Sequence, residues 1–140
     1  MTQDRQNYSN HVHRPVAWLI TWLIALLAVV VLLVHAWQEP SYVSVTLAVL
    51  GGVVLMAVSL IRVFALRLQN RIIRLEMQVR LARLGREADL LRLALPQIIA
   101  LRFASDAELP ALIDRAVAEH LPADTIKRAI TEWRGDYLRT

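Results

Sequence analysis

The chain has 140 residues, enough for one ordinary domain, and its 56% apolar and 20% charged residues exclude a disordered polypeptide. Cysteine is absent, which excludes disulfides, thiol nucleophiles and Cys-ligated zinc or iron–sulfur sites. Charge is unevenly spread: residues 1–61 carry two basic and two acidic groups, residues 62–86 seven Arg and one Glu, and residues 87–140 seven basic and nine acidic groups. The pI near 10.3 therefore describes one short stretch and not a uniformly basic protein.

Residues 1–15 form a polar N-terminal arm. It holds His11 and His13, which an extended segment would set on one edge. Two imidazoles without a third ligand do not make a metal site, and we expect no metal. Residues 16–37 then run without a single Asp, Glu, Lys or Arg, as do residues 42–61. The rest of so small a chain is too short to hide both runs in a soluble core. A helix crossing a hydrocarbon layer of about 30 Å needs roughly 20 apolar residues, and residues 16–37 and 43–65 both qualify. Trp18 and Trp22 lie near one end of the first span, and Trp37 lies at the other. Tyr42 opens the second, so aromatic rings fall at the headgroup level. Gln38, Glu39, Pro40 and Ser41 form a short polar turn in which Pro40 ends the helix. Residues 16–65 are thus predicted to be a transmembrane helical hairpin.

Arg14 precedes the first span and Arg62, Arg67, Arg71 and Arg74 follow or end the second, whereas the turn has no Lys or Arg. Basic residues stay on the cytoplasmic side, so both termini are expected in the cytoplasm. A signal peptide cleaved after Val34-His35-Ala36 is the competing reading. Its usual apolar core of ~7–15 residues is shorter than this run, and a second span follows. Within the second span Gly51, Gly52, Ala48, Ala57 and Ser59 are small. They form a close packing face or reflect the commonness of small residues in membrane helices, and no Gly-x-x-x-Gly spacing decides between the two. Arg62, deeper than the other arginines, is expected to snorkel to the cytosolic face. His35, near the outer end of the first span, needs only to be neutral there.

Residues 66–86 continue the helix as a juxtamembrane stalk. At about 100° per residue, Arg67, Arg71, Arg74 and Gln78 share one side, suited to anionic lipid headgroups at roughly 1 kcal/mol each. Beside them runs an apolar stripe of Leu68, Ile72, Leu75 and Val79, a candidate face for a partner or for self-association. Opposite the arginines lie Glu76, Arg80 and Arg83, with Glu76 and Arg80 at i,i+4. A second apolar stripe comprises Leu66, Ile73, Met77 and Leu84. Two apolar stripes need partners on two sides. No aromatic residue follows Phe64 within the stalk to stack on a base, so nucleic acid is not an expected partner.

Residues 87–140 read as a small helical tail. An apolar run over residues 88–95 stops at Pro96, and residues 97–103 continue helical. Ser105-Asp106-Ala107-Glu108 has capping-box form and opens a helix to about His120, although Pro110 would also fit a start near Leu109. A last helix starts at Ala123 or Asp124 and runs to about Trp133, burying Ile126, Ile130 and Trp133. A tail of this size is small for an independent core, so it should fold back on the stalk.

Gln97-Ile-Ile-Ala-Leu-Arg-Phe-Ala-Ser-Asp-Ala-Glu-Leu-Pro-Ala-Leu112, with Gln69-Asn-Arg-Ile-Ile-Arg-Leu-Glu76 and Gln6-Asn-Tyr-Ser-Asn-His11, resembles a bacterial family of uncharacterised membrane proteins, a domain of unknown function, over nearly the whole chain. The resemblance implies a bacterial integral membrane protein with two spans and carries over no catalytic residue.

Chemistry is otherwise sparse. The carboxylate pair Glu87/Asp89 shares no helical face, and Asp106/Glu108 suits a helix start. Arg134-Gly135-Asp136 is an adhesion tripeptide in other settings and is read here as a chance match. No phosphate-cradling Gly loop, Ser/His/Asp set or His-Glu-x-x-His run occurs. The expectation is an all-α, non-enzymatic inner-membrane protein without cofactor, anchoring an interaction or scaffold surface. Its partners are membrane lipids and a second copy or another membrane protein. The alternative is a small subunit of an oligomeric transport system or pore, for which the spans offer only Thr21, Ser44, Thr46 and Ser59 as polar lining.

Overall fold

The computed structural model describes residues 7, 8 and 15–135. His11, His13, Arg14 and Asp136 lie outside the described residues. Among the described residues the fold is all-helical: α1 Val16–Gln38, α2 Tyr42–Arg83, a 3-10 turn Glu87–Leu91, α3 Leu95–Leu101, α4 Leu109–Ala118 and α5 Ala123–Ala129. The described residues divide into two compact units, 15–67 in one and 68–135 with 7 and 8 in the other.

The N-terminal unit is a hairpin of α1 against the first half of α2. Both helices are long and apolar enough to cross a membrane. α1 has no buried residue at all, and most of the large apolar side chains of α1 and of the first half of α2 are exposed. The turn is closed by hydroxyls. Ser41 N–H donates to Ser44 Oγ (2.9 Å), Ser44 N–H donates to Ser41 Oγ (3.1 Å), and Ser44 Oγ–H reaches the Glu39 carbonyl (2.8 Å). These bonds satisfy donors that a helix start leaves open. At Gly51 a Cβ would stand 2.9 Å from Leu32 Cδ1, whereas at Gly52 it would meet nothing within 4 Å. Gly51 alone of that pair marks the close approach of the helices.

In the C-terminal unit α3, α4 and α5 pack around Phe103 and cover one side of α2. Met77 and Leu81 are fully buried together with Ile98, Leu101, Phe103, Leu109, Ile113 and Ile126. Ile73 joins the same core. The tail therefore folds back on one stalk stripe, the one containing Ile73 and Met77. Leu84 and Leu66, assigned to that stripe from periodicity, stay partly exposed.

Helix ends depart from the sequence reading for local reasons. α2 ends at Arg83 because Gly85 turns left-handed (φ 68°). Arg86 N–H then bonds the Leu81 carbonyl (2.8 Å) and Gly85 N–H the Ala82 carbonyl (3.0 Å), the Schellman pattern. Residues 88–95 are not an α-helix; only the 3-10 turn forms. Pro96 sits in the first turn of α3, where its missing N–H costs nothing. α4 stops at Ala118 through His120 (φ 50°) and a Leu121 N–H to Ala116 carbonyl bond of 3.2 Å. α5 ends at Ala129 because the chain beyond Ile130 straightens to pair Trp133 with Ala104.

Candidate functional site

The second half of α2 carries both candidate surfaces. Its core-facing side is covered by the C-terminal helices, and the opposite apolar stripe is open. Leu68, Ile72, Leu75 and Val79 are 58%, 47%, 59% and 54% exposed. Ordinary surface leucines are scattered singly. Here four large apolar side chains line up on one helix over three turns, and nothing among the described residues of the unit shields them.

Arg67, Arg71 and Arg74 are exposed, and among the described residues none has a carboxylate within ion-pair distance. The arginines further along behave differently. Arg80 bonds Asp106 and donates to the carbonyls of Arg102 (3.1 Å) and Ala104 (2.5 Å). It turns to these tertiary acceptors, which are also what fix α2 to the loop after α3, and not to Glu76 one turn away. Arg86 bonds Asp89 (2.5 Å) and Asp114, and these hydrogen bonds raise its guanidinium above the ordinary range. Arg80 and Arg86 thus help build the fold, whereas Arg67, Arg71, Arg74 and Arg83 are in no ion pair among the described residues.

Arg62 does not behave as a free headgroup contact. It is half-buried, with its guanidinium 5.7 Å from the centre of the Trp18 ring, a cation–π geometry. The two tryptophans near it face α2. Trp18 Nε1–H donates to the Val58 carbonyl (3.3 Å) and Trp22 Nε1–H to Ser59 Oγ (3.0 Å). Thr21, Thr46 and Ser59 bond carbonyls four residues back, and Ser44 closes the turn.

Two ties were not visible in the sequence. Glu108 does form the reciprocal bonds with Ser105 (3.3 and 3.4 Å), and it also accepts from Thr131 N–H, Thr131 Oγ1–H and Glu132 N–H. Burial raises its carboxyl, and the bonds from Thr131, Ser105 and Glu132 outweigh that and hold it below the usual value. Tyr8, from the N-terminal arm, donates to Asp124 (2.7 Å) under the Arg128 guanidinium, which lies 5.2 Å from its ring. These partners stand 23 to 120 positions apart, beyond any local motif.

The family described as "Family of unknown function (DUF6526)" matches the chain over residues 1–140. No curated protein and no solved structure matches it.

Proposed function

We propose that this member of the DUF6526 family, to which the chain belongs along its whole length, is a non-enzymatic, membrane-anchored interaction protein of the bacterial inner membrane with both termini in the cytoplasm. The observation that carries the reading is the open apolar face of α2. Leu68, Ile72, Leu75 and Val79 stay exposed although the chain's own tail covers the other side of the same helix. An apolar surface of this kind marks an interaction site.

The membrane placement is supported by α1, 23 apolar-dominated residues without a buried side chain, about 34 Å long at 1.5 Å per residue. Lipid is the solvent that tolerates such a surface. Tyr8 meets Asp124 and Arg128 of α5, which supports both ends of the chain sharing one side. The turn has no Lys or Arg while Arg67, Arg71 and Arg74 follow the second apolar run, and this favours the cytoplasmic side. Arg67, Arg71 and Arg74 are then available to anionic lipid headgroups. Nucleic acid is not among the partners.

A subunit of an oligomeric pore is the alternative, and the engagement of Thr21, Thr46 and Ser59 with their own helix backbones weighs against a polar lumen. Crosslinking in native membranes followed by mass measurement tests the proposal. We expect a discrete adduct that disappears when Leu68, Ile72 and Val79 are all changed to Ser while the chain stays in the membrane. An adduct that survives the triple change, or a chain that is recovered only as monomer, contradicts the reading. Reproducible ion flux in reconstituted vesicles would favour the pore.

A further inference from the structure

The open stripe has the spacing of a coiled-coil seam. Leu68, Ile72, Leu75, Val79 and Ala82 follow at intervals of four, three, four and three, which are the d, a, d, a and d positions of a heptad. β-Branched residues stand at both a positions (Ile72, Val79) and Leu at the first two d positions, the combination that favours two parallel strands.

The charges beside the seam are complementary to a copy of themselves. Arg71 falls at g and Glu76 at e of the next heptad, the two positions that meet across a parallel pair. Both are exposed, and among the described residues neither is in an ion pair. The remaining facing pair, Gln78 with Arg83, brings no like charges together. Ile73, Met77 and Leu81, which hold the tail, occupy outward b, f and c positions, so the tail leaves the seam clear. Copies inserted in one membrane with one topology present α2 in parallel, and sharing the membrane raises their effective concentration.

We infer that the occupant of this face is a second copy of the chain. The two α2 helices pair in parallel and in register over residues 68–82, with Arg71 of each copy meeting Glu76 of the other. The inference rests on the interaction reading given above and narrows it to one partner.

Because the chain has no cysteine, single substitutions report contacts without background. In native membranes treated with an oxidant, full-length Ile72→Cys and Leu75→Cys should form disulfide-linked species of twice 15.9 kDa, and Arg74→Cys, exposed but at an outward c position, should not. On the Leu75→Cys background, Arg71→Glu or Glu76→Arg alone should lower dimer yield about fivefold, because two symmetric pairs are each replaced by like charges. Arg71→Glu with Glu76→Arg should restore it. Equal yields at Arg74 and Leu75, no disulfide at Ile72 and Leu75, or no rescue by the double exchange would overturn the second copy. An adduct of different mass that is lost in the triple Ser variant would overturn self-association while leaving the interaction reading standing. No adduct of any mass would overturn both.

Discussion

Gly85 and His120 both turn the chain left-handed just past a helix, and only glycine does so without a Cβ clash. At Gly85 a Cβ would meet no neighbouring atom within 4 Å, so the cost of substitution there is conformational alone. We therefore expect Gly85→Ala to destabilise the C-terminal unit by about 1 kcal/mol and His120→Gly to stabilise it by up to about 1 kcal/mol. Hydrogen exchange of α4 amides in the detergent-solubilised full chain would read both. An unchanged exchange rate in Gly85→Ala would contradict the left-handed stop. Gly51 is constrained differently, by space: its neighbour is the flexible end of Leu32. Gly51→Leu should overpack the hairpin, at about 1–3 kcal/mol, while Gly52→Leu should leave it unchanged. Thermal unfolding followed by tryptophan emission would separate them, and equal losses at both positions would contradict the packing described for Gly51.

Among the elements, the short C-terminal helices share an apolar core, and hydrogen-bonded carboxylates tie that core to α2, to the flanking loops and to Tyr8. A hydrogen bond from Arg80 holds Asp106 below the ordinary carboxylate range, one from Arg86 does the same for Asp114, and one from Tyr8 for Asp124. Glu108 is also lowered. A depressed carboxyl pKa contributes stability that is complete above the unfolded value of about 4 and is lost as pH falls through the folded value. Acidification below about pH 4 should thus loosen α4 and α5 before it affects the hairpin, a sequence that α4 and α5 amide exchange against hairpin exchange would reveal. Simultaneous loss of both would contradict it. The same elements show what a sequence can announce. The long helices were legible because their apolar runs are charge-free and long enough to span a bilayer, and the Ser105–Glu108 box was legible because its partners lie three residues apart. Pro96 misled because a proline both ends one segment and starts the next. Arg80 misled because a carboxylate one turn away lost to Asp106 and two carbonyls supplied from another part of the fold. The open and covered stripes of α2 were both legible as apolar, but which one the tail takes depends on where Ile98, Phe103 and Ile113 arrive after folding.

For the whole molecule, everything functional depends on where the two long apolar helices reside and which way they face. A soluble protein would bury such helices, yet α1 buries none of its residues, and in α2 only Ser44, Ala48, Ile73, Met77 and Leu81 are buried. Lipid around the hairpin and a copy of the chain along α2 would together cover what the fold itself leaves bare. Membrane-impermeant maleimide labelling of single-cysteine variants in intact bacterial cells tests this most directly. Gln38→Cys, exposed at the end of α1 beside the turn, should label in intact cells, and Ala118→Cys, exposed at the end of α4, should label only after the cells are opened. Labelling of Ala118→Cys in intact cells, or failure of Gln38→Cys to label there, would contradict a two-span anchor with its C-terminal unit in the cytoplasm.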